Sequence, residues 1–163
     1  MKSLKLKNYI LKISTEKRNV DDDWSDRSLT AYNIILIKKA GIYDPDNGAK
    51  TDYYYDGYSV QAEYTLKNGE LNGTFKSYYQ NGNIMKTGNY INGKENGLFK
   101  EYNEEGSIKI EYTMKNGELN GAFKTYYENG KVKKTGNYIN GKEHGNFSEY
   151  DGYGNMDATY TKI

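Results

Sequence analysis

The sequence predicts an all-β fold in which tandem antiparallel β-hairpin repeats form an elongated single curved sheet, and three observations predict it. Residues 64 to 111 and 112 to 159 align without a gap and are identical at 30 of 48 positions. Within each block a shorter signal recurs every 24 residues: Gly73, Gly97, Gly121 and Gly145 each precede a Phe by two positions and a Tyr by five. Ten Asn-Gly dipeptides punctuate the chain, and Asn-Gly is the preferred pair for tight hairpin turns because both residues tolerate positive φ. A fixed period in this range marks a repeat array.

Residues 1–47 lack the repeat. Leu4, Leu6, Leu11 and Ile13, and later the run from Tyr32 to Ile37, read as two strands around a polar loop. This segment is expected to be an N-terminal β-hairpin cap that covers the first edge of the array. Residues 48–163 are then expected to form five hairpin units of about 24 residues. The first is a worn copy, with Gly48, Tyr53 and Gly57 in place but Lys50 where Phe belongs.

Each unit divides into two strands. Gly-x-Phe-Lys-x-Tyr-Tyr alternates at period two, and so does the run from Ile84 to Tyr90. Asn81-Gly82 and Asn129-Gly130 are expected to close tight I′ turns within the hairpins, and the segment from Asn92 to Gly97 to form a longer loop between them. Stacking in phase puts Phe75, Phe99, Phe123 and Phe147 on one face and the Tyr three residues later, such as Tyr78, on the other. Ile84, Ile108, Val132 and Met156 recur on the second strands. Aliphatic residues are too few to fill a closed two-sheet core, so a single sheet packed by its own side chains is favoured.

Composition sets limits on function. Hydrophobic residues make up 36% and mean hydropathy is −1.00, so the 19 Tyr must supply much of the buried area, an amphipathic ring being able to bury its body while its hydroxyl stays wet. The formal net charge is +1. Residues 1 to 47 carry 9 Lys and Arg against 7 Asp and Glu, and residues 48 to 163 carry 14 against 15. No basic field exists to attract a phosphate backbone, so no nucleic-acid partner is expected. Without cysteine there is no disulfide or thiolate chemistry. No apolar run approaches a membrane span, and Tyr9-Ile10-Leu11 is too short for a secretory signal, so a cytoplasmic location is expected.

The segment Tyr138 to Phe147 (YINGKEHGNF) and its sister Tyr90 to Phe99 resemble the MORN repeat, in its shorter-patterned bacterial variant, over residues 48–163. The resemblance implies a grooved row of hairpins that contacts proteins or lipid head groups. Bacterial members of the YwqK-like group are often labelled antitoxins. Others carry a lipid-kinase label because plant lipid kinases bear these repeats beside a kinase domain. This sequence has no Gly-rich loop leading into a strand Lys and no His-Arg-Asp triplet, so such a label would describe the repeat alone.

Candidate chemistry is sparse, and no catalytic, cofactor or metal site is expected. His144 is the single histidine, which removes His-based triads and metal clusters. Its equivalents Asn72, Asn96 and Asn120 point to a turn role. Asp21, Asp22, Asp23 and Asp26 around Trp24 lack calcium-loop spacing, and Asp44 to Gly48 reads as a turn. Glu70, Glu95, Glu118 and Glu143 read as solvated loop charges. The expected function is a non-catalytic binding or scaffolding module with a protein partner, an antitoxin or immunity-like role among the options. The alternatives are a carbohydrate or cell-surface ligand, suited to Tyr at fixed period, and a phospholipid head group, against which the near-zero net charge weighs. The expected contact residues are Tyr53, Tyr54, Tyr55, Tyr79 and Tyr127, since Tyr offers large contact area at low entropic cost.

Overall fold

The computed structural model describes residues 46–163. The cap expected over residues 1–47 falls almost entirely outside them, as do Trp24 and its acidic neighbours. Twelve strands form one open antiparallel sheet, and no helix occurs among the described residues. Five hairpins follow one another: β1 (Gly48–Tyr53) with β2 (Val60–Lys67), β3 (Glu70–Tyr78) with β4 (Ile84–Ile91), and β6 (Gly97–Tyr102) with β7 (Ile108–Lys115). The last two pair β8 (Glu118–Tyr126) with β9 (Val132–Ile139) and β11 (Gly145–Tyr150) with β12 (Met156–Lys162). The two-residue strands β5 (Lys94–Glu95) and β10 (Lys142–Glu143) pair back onto β4 and β9. Ten strands lie side by side, which at the usual strand spacing makes the sheet about 43 Å across.

The two kinds of turn are exchanged relative to the sequence expectation. Asn68, Asn92, Asn116 and Asn140 have φ of 50° to 54° and are each followed by a glycine at 73° to 87°. With Ile91 paired to Lys94, Asn92-Gly93 is the two-residue I′ turn, and it joins one hairpin to the next. Asn81 and Asn129 do not take positive φ; only Gly82 and Gly130 do. Gly82 N–H donates to the Tyr79 carbonyl at 2.9 Å and Tyr79 N–H to the Asn83 carbonyl at 2.8 Å, a three-residue loop closed by a left-handed glycine. The stretch from Asn92 to Gly97 is therefore a tight turn plus a short strand. Asn96 and His144 then interrupt the pairing, their N–H groups donating to the Asn89 and Asn137 carbonyls at 2.9 Å.

Each hairpin is fastened to its neighbour at both edges of the sheet. At the I′ edge, the turn glycine reaches back one hairpin: Gly93 N–H donates to the Leu71 carbonyl at 2.9 Å and Gly117 N–H to the Glu95 carbonyl at 3.0 Å. Beside it an amide ladder runs Asn72 to Asn92 (3.0 Å) and Asn120 to Asn140 (3.1 Å). His144 occupies the ladder position in the fifth hairpin, is exposed, and does not take positive φ.

The core is one layer thick. Only Phe99, Tyr112 and Phe147 are buried apolar side chains among the described residues, and both Phe rings are at 0% exposure. They belong to a ladder that steps across the strands. Phe75, Tyr90 and Phe99 meet edge-on at 5.4 and 5.7 Å, and Tyr112 stacks on Phe99 at 5.7 Å. The same pattern repeats from Phe123 through Tyr138 and Phe147 to Tyr160. Such pairs contribute about 0.5–1.5 kcal/mol each beyond their buried area. Phe99 is buried because Gly88 lies beneath it: a Cβ at Gly88 would sit 2.0 Å from the ring. Gly136 does the same for Phe147. The 48-residue period thus has a packing cause, an alternation of Tyr64, Gly88, Tyr112, Gly136 and Tyr160 at one position of the second strands.

Candidate binding surface

The Phe face carries two copies of one polar cluster. Lys86 Nζ lies 2.7 Å from Glu95 and 3.8 Å from Glu101, and over the rings of Phe99 (5.1 Å) and Tyr112 (5.7 Å). Tyr90 donates to Glu95 at 3.0 Å and Tyr112 to Glu101 at 2.9 Å. The second copy has Lys134 at 3.0 Å from Glu143 and 3.7 Å from Glu149, over Phe147 and Tyr160. Burial opposes the charge on Lys86, but its bonds to Glu95 and Tyr112 outweigh that and raise its pKa. Burial, helped by Glu101, pushes the Tyr112 phenol up to about 12. Glu95 and Glu143, expected as solvated loop charges, are half-buried counter-ions here, because β5 and β10 turn them onto the Phe face. Glu70 and Glu118 are exposed, as expected. These clusters hold a lysine over buried aromatic rings, which is a packing role.

The opposite face is more regular. Lys76, Lys100 and Lys124 occupy one position of successive hairpins, with Lys100 2.7 Å from Glu111. Two residues on come Tyr53, Tyr78, Tyr102, Tyr126 and Tyr150. Each pairs with the first residue of the following strand: Val60, Ile84, Ile108, Val132 and Met156. The sequence expectation of Phe and Tyr on opposite faces holds. Tyr78 and Tyr126 donate to Glu63 and Glu111 at 2.6 Å. Glu63 pushes the Tyr78 phenol up to about 12, and burial aided by Glu111 does the same for Tyr126. Thr87 and Thr135 stand where the acids would be for Tyr102 and Tyr150.

The five tyrosines expected from sequence to make contacts do not come together as one site. Tyr54, Tyr79 and Tyr127 share one turn position in hairpins one, two and four. Their hydroxyls donate to the carbonyls of Tyr78 (2.5 Å), Tyr102 (2.7 Å) and Tyr150 (2.7 Å) in the next hairpin. They are half-buried ties between units, a role invisible in sequence because the acceptor is a backbone carbonyl 23 or 24 residues away. Tyr53 at 53% and Tyr55 at 108% are exposed, and Tyr53 heads the Tyr row of the outer face. Sequence reasoning missed the Lys86 and Lys134 clusters; their signal was the recurrence of Lys, Gly and Tyr at 86, 88, 90 and 134, 136, 138. No group of His, Asp or Glu able to hold a metal ion occurs among the described residues. No helix there is long and apolar enough to cross a membrane.

No curated protein matches the chain. Among solved structures, a crystal structure of TarM is similar at 14% identity and a TM-score of 0.38, over 83% of this chain and 26% of that one. A mutant of S. aureus TarM in complex with Fondaparinux, alpha-GlcNAc-glycerol and UDP is similar at 14% identity and a TM-score of 0.39, over 84% and 26%. The chain thus spans about a quarter of the length of those proteins. One repeat family matches: the MORN repeat variant occurs three times in tandem, over residues 71–92, 95–116 and 119–140, one copy in each of the second, third and fourth hairpins.

Proposed function

We propose that the chain is a non-catalytic protein-binding module, acting in the cytoplasm as an antitoxin or immunity-like partner that occludes another protein. The observation that carries this reading is the open sheet. Its side chains stand at repeated positions on two faces, and among the described residues only three apolar side chains are buried. Such a surface has the regularity of a docking platform. The matching repeat variant describes a structural unit rather than a catalytic domain, in keeping with this reading. Tyr53 and Tyr55 are the exposed members of the expected contact set; Tyr54, Tyr79 and Tyr127, half-buried and tied by their hydroxyls to the next hairpin, complete that set.

The test is affinity capture from the source cell with the intact chain and with a Tyr53→Ser/Tyr55→Ser variant. A single protein retained in stoichiometric amount by the wild type and lost by the variant supports the reading. Retention of no protein at micromolar concentration sinks it.

A further inference from the structure

We infer that the Tyr row of the outer face, Tyr53, Tyr78, Tyr102, Tyr126 and Tyr150, docks a proline-rich segment of a partner in the polyproline II conformation, one helical turn per hairpin. The inference rests on the protein-binding reading above and names the partner's chemistry. Adjacent members of the row are two strands apart, a separation of about 9.6 Å. A polyproline II helix advances 3.1 Å per residue with three residues per turn, a repeat of about 9.3 Å. Over the four intervals of the row the sheet advances about 38 Å and twelve residues of the helix about 37 Å, so the two stay in step along the whole array. An extended β-strand laid the same way, repeating every two residues or about 6.7 Å, falls out of register within one hairpin.

The chemistry of the row agrees with its spacing. The Phe-face rings are committed to one another, whereas the four tyrosines from Tyr78 to Tyr150 have no ring partner among the described residues. These four rings are half-buried, and Met85, Lys109 and Lys133, all exposed, lie on the strands between them. Aromatic ridges one polyproline turn apart are what recognises this conformation, because the pyrrolidine rings pack between them at little entropic cost. A polyproline helix makes no internal hydrogen bonds, so its carbonyls need donors. The hydroxyls of Tyr102 and Tyr150 donate to no carboxylate among the described residues, since Thr87 and Thr135 stand where Glu63 and Glu111 hold Tyr78 and Tyr126, which leaves these two donors for such a carbonyl.

The test is fluorescence anisotropy of the full chain with a labelled peptide of four Ala-Pro-Pro triplets. A second peptide has the same triplets with Gly-Gly inserted after the second, and a β-1,4-linked hexasaccharide serves as competitor. The expected result is saturable binding of the regular peptide, several-fold weaker binding of the interrupted one, and no competition by the sugar. Tyr102→Ala and Tyr150→Ala should each weaken binding by about tenfold. Tyr102→Phe, which keeps the ridge and the fold, should weaken it by about threefold through the lost hydroxyl. Absence of saturable binding, equal affinity for both peptides, or displacement by the sugar overturns the inference. If the peptide fails while a stoichiometric protein is still captured from the source cell, the binding-module reading stands and only the partner's chemistry is wrong. If both fail, the reading itself falls.

Discussion

Replacing Gly88 with Ala adds one methyl group, and the structure fixes where it goes. Its carbon would lie 2.0, 2.2 and 2.5 Å from three atoms of the Phe99 ring, where ordinary contact needs about 3.5 Å or more. The ring must therefore retreat by about 1.5 Å. It is stacked on Tyr112, edge-on to Tyr90 and capped by Lys86, so it cannot retreat without opening the most buried point of the array. Ejecting the ring would cost about 3–5 kcal/mol, the usual cost of losing a buried Phe. Against this stands a gain of about 0.5–1 kcal/mol from removing a flexible glycine from a strand. The net expectation is a loss of about 3 kcal/mol, or a drop of about 10 °C in Tm for an array of this size. Gly136→Ala should match it, since a Cβ there meets Phe147 at 2.0 Å, and Gly152→Ala, with open space around it, should be neutral. Thermal and denaturant unfolding of the three variants by circular dichroism decides the matter. A neutral or stabilised Gly88→Ala would refute the claim that Phe99 is buried by resting on a bare backbone.

Three further outcomes follow from the same contacts. Tyr79→Phe and Tyr127→Phe each remove one hydroxyl tie to the next hairpin and should cost about 1 kcal/mol in urea denaturation, with no change in far-ultraviolet circular dichroism. Asn92→Ala forces an alanine to φ 50° and breaks the bond from Asn72, so it should cost about 1–2 kcal/mol, whereas Asn92→Gly should lose only the amide bond. Above pH 10 the array should weaken. Tyr78, Tyr112 and Tyr126 have folded pKa values raised to about 12 from 10.0, so the stability they give is fully present below pH 10 and lost as pH rises towards 12. Ultraviolet titration of tyrosinate should show a late-ionising group, and Glu111→Gln should pull Tyr126 back towards its ordinary value.

Much of the fold was legible because it is written in spacing. The 24-residue recurrence of Gly, Phe and Tyr gave the hairpins, and period-two alternation placed Phe and Tyr on opposite faces. Turn type was less legible, since Asn81-Gly82 and Asn92-Gly93 are the same dipeptide. What separates them is the length of chain that must return to the ladder, three residues in one and two in the other, and that is fixed only once the strands are paired. The candidate surface was harder still. Tyr79 and Tyr127 look like spare aromatic residues in sequence, yet their hydroxyls are spent on carbonyls of the next unit. Glu95 reads as a loop charge until β5 turns it towards Lys86.

The Gly88–Phe99 contact also sets a rule for how such an array can change its copy number. The bare glycine and the lysine two residues before it lie in the second strand of an even hairpin, while the Phe that covers the one and the two acids that flank the other come from the odd hairpin that follows. Excising hairpin four alone would set Phe147 against Tyr112 and leave Glu143 and Glu149 facing Met114 and Ile110. Excising hairpins three and four together would bring Gly88 and Lys86 against Phe147, Glu143 and Glu149 and restore every partner. Adding or dropping hairpins in twos preserves these contacts, so the packing unit of this architecture is the 48-residue couple, although the strand pattern recurs at half that length.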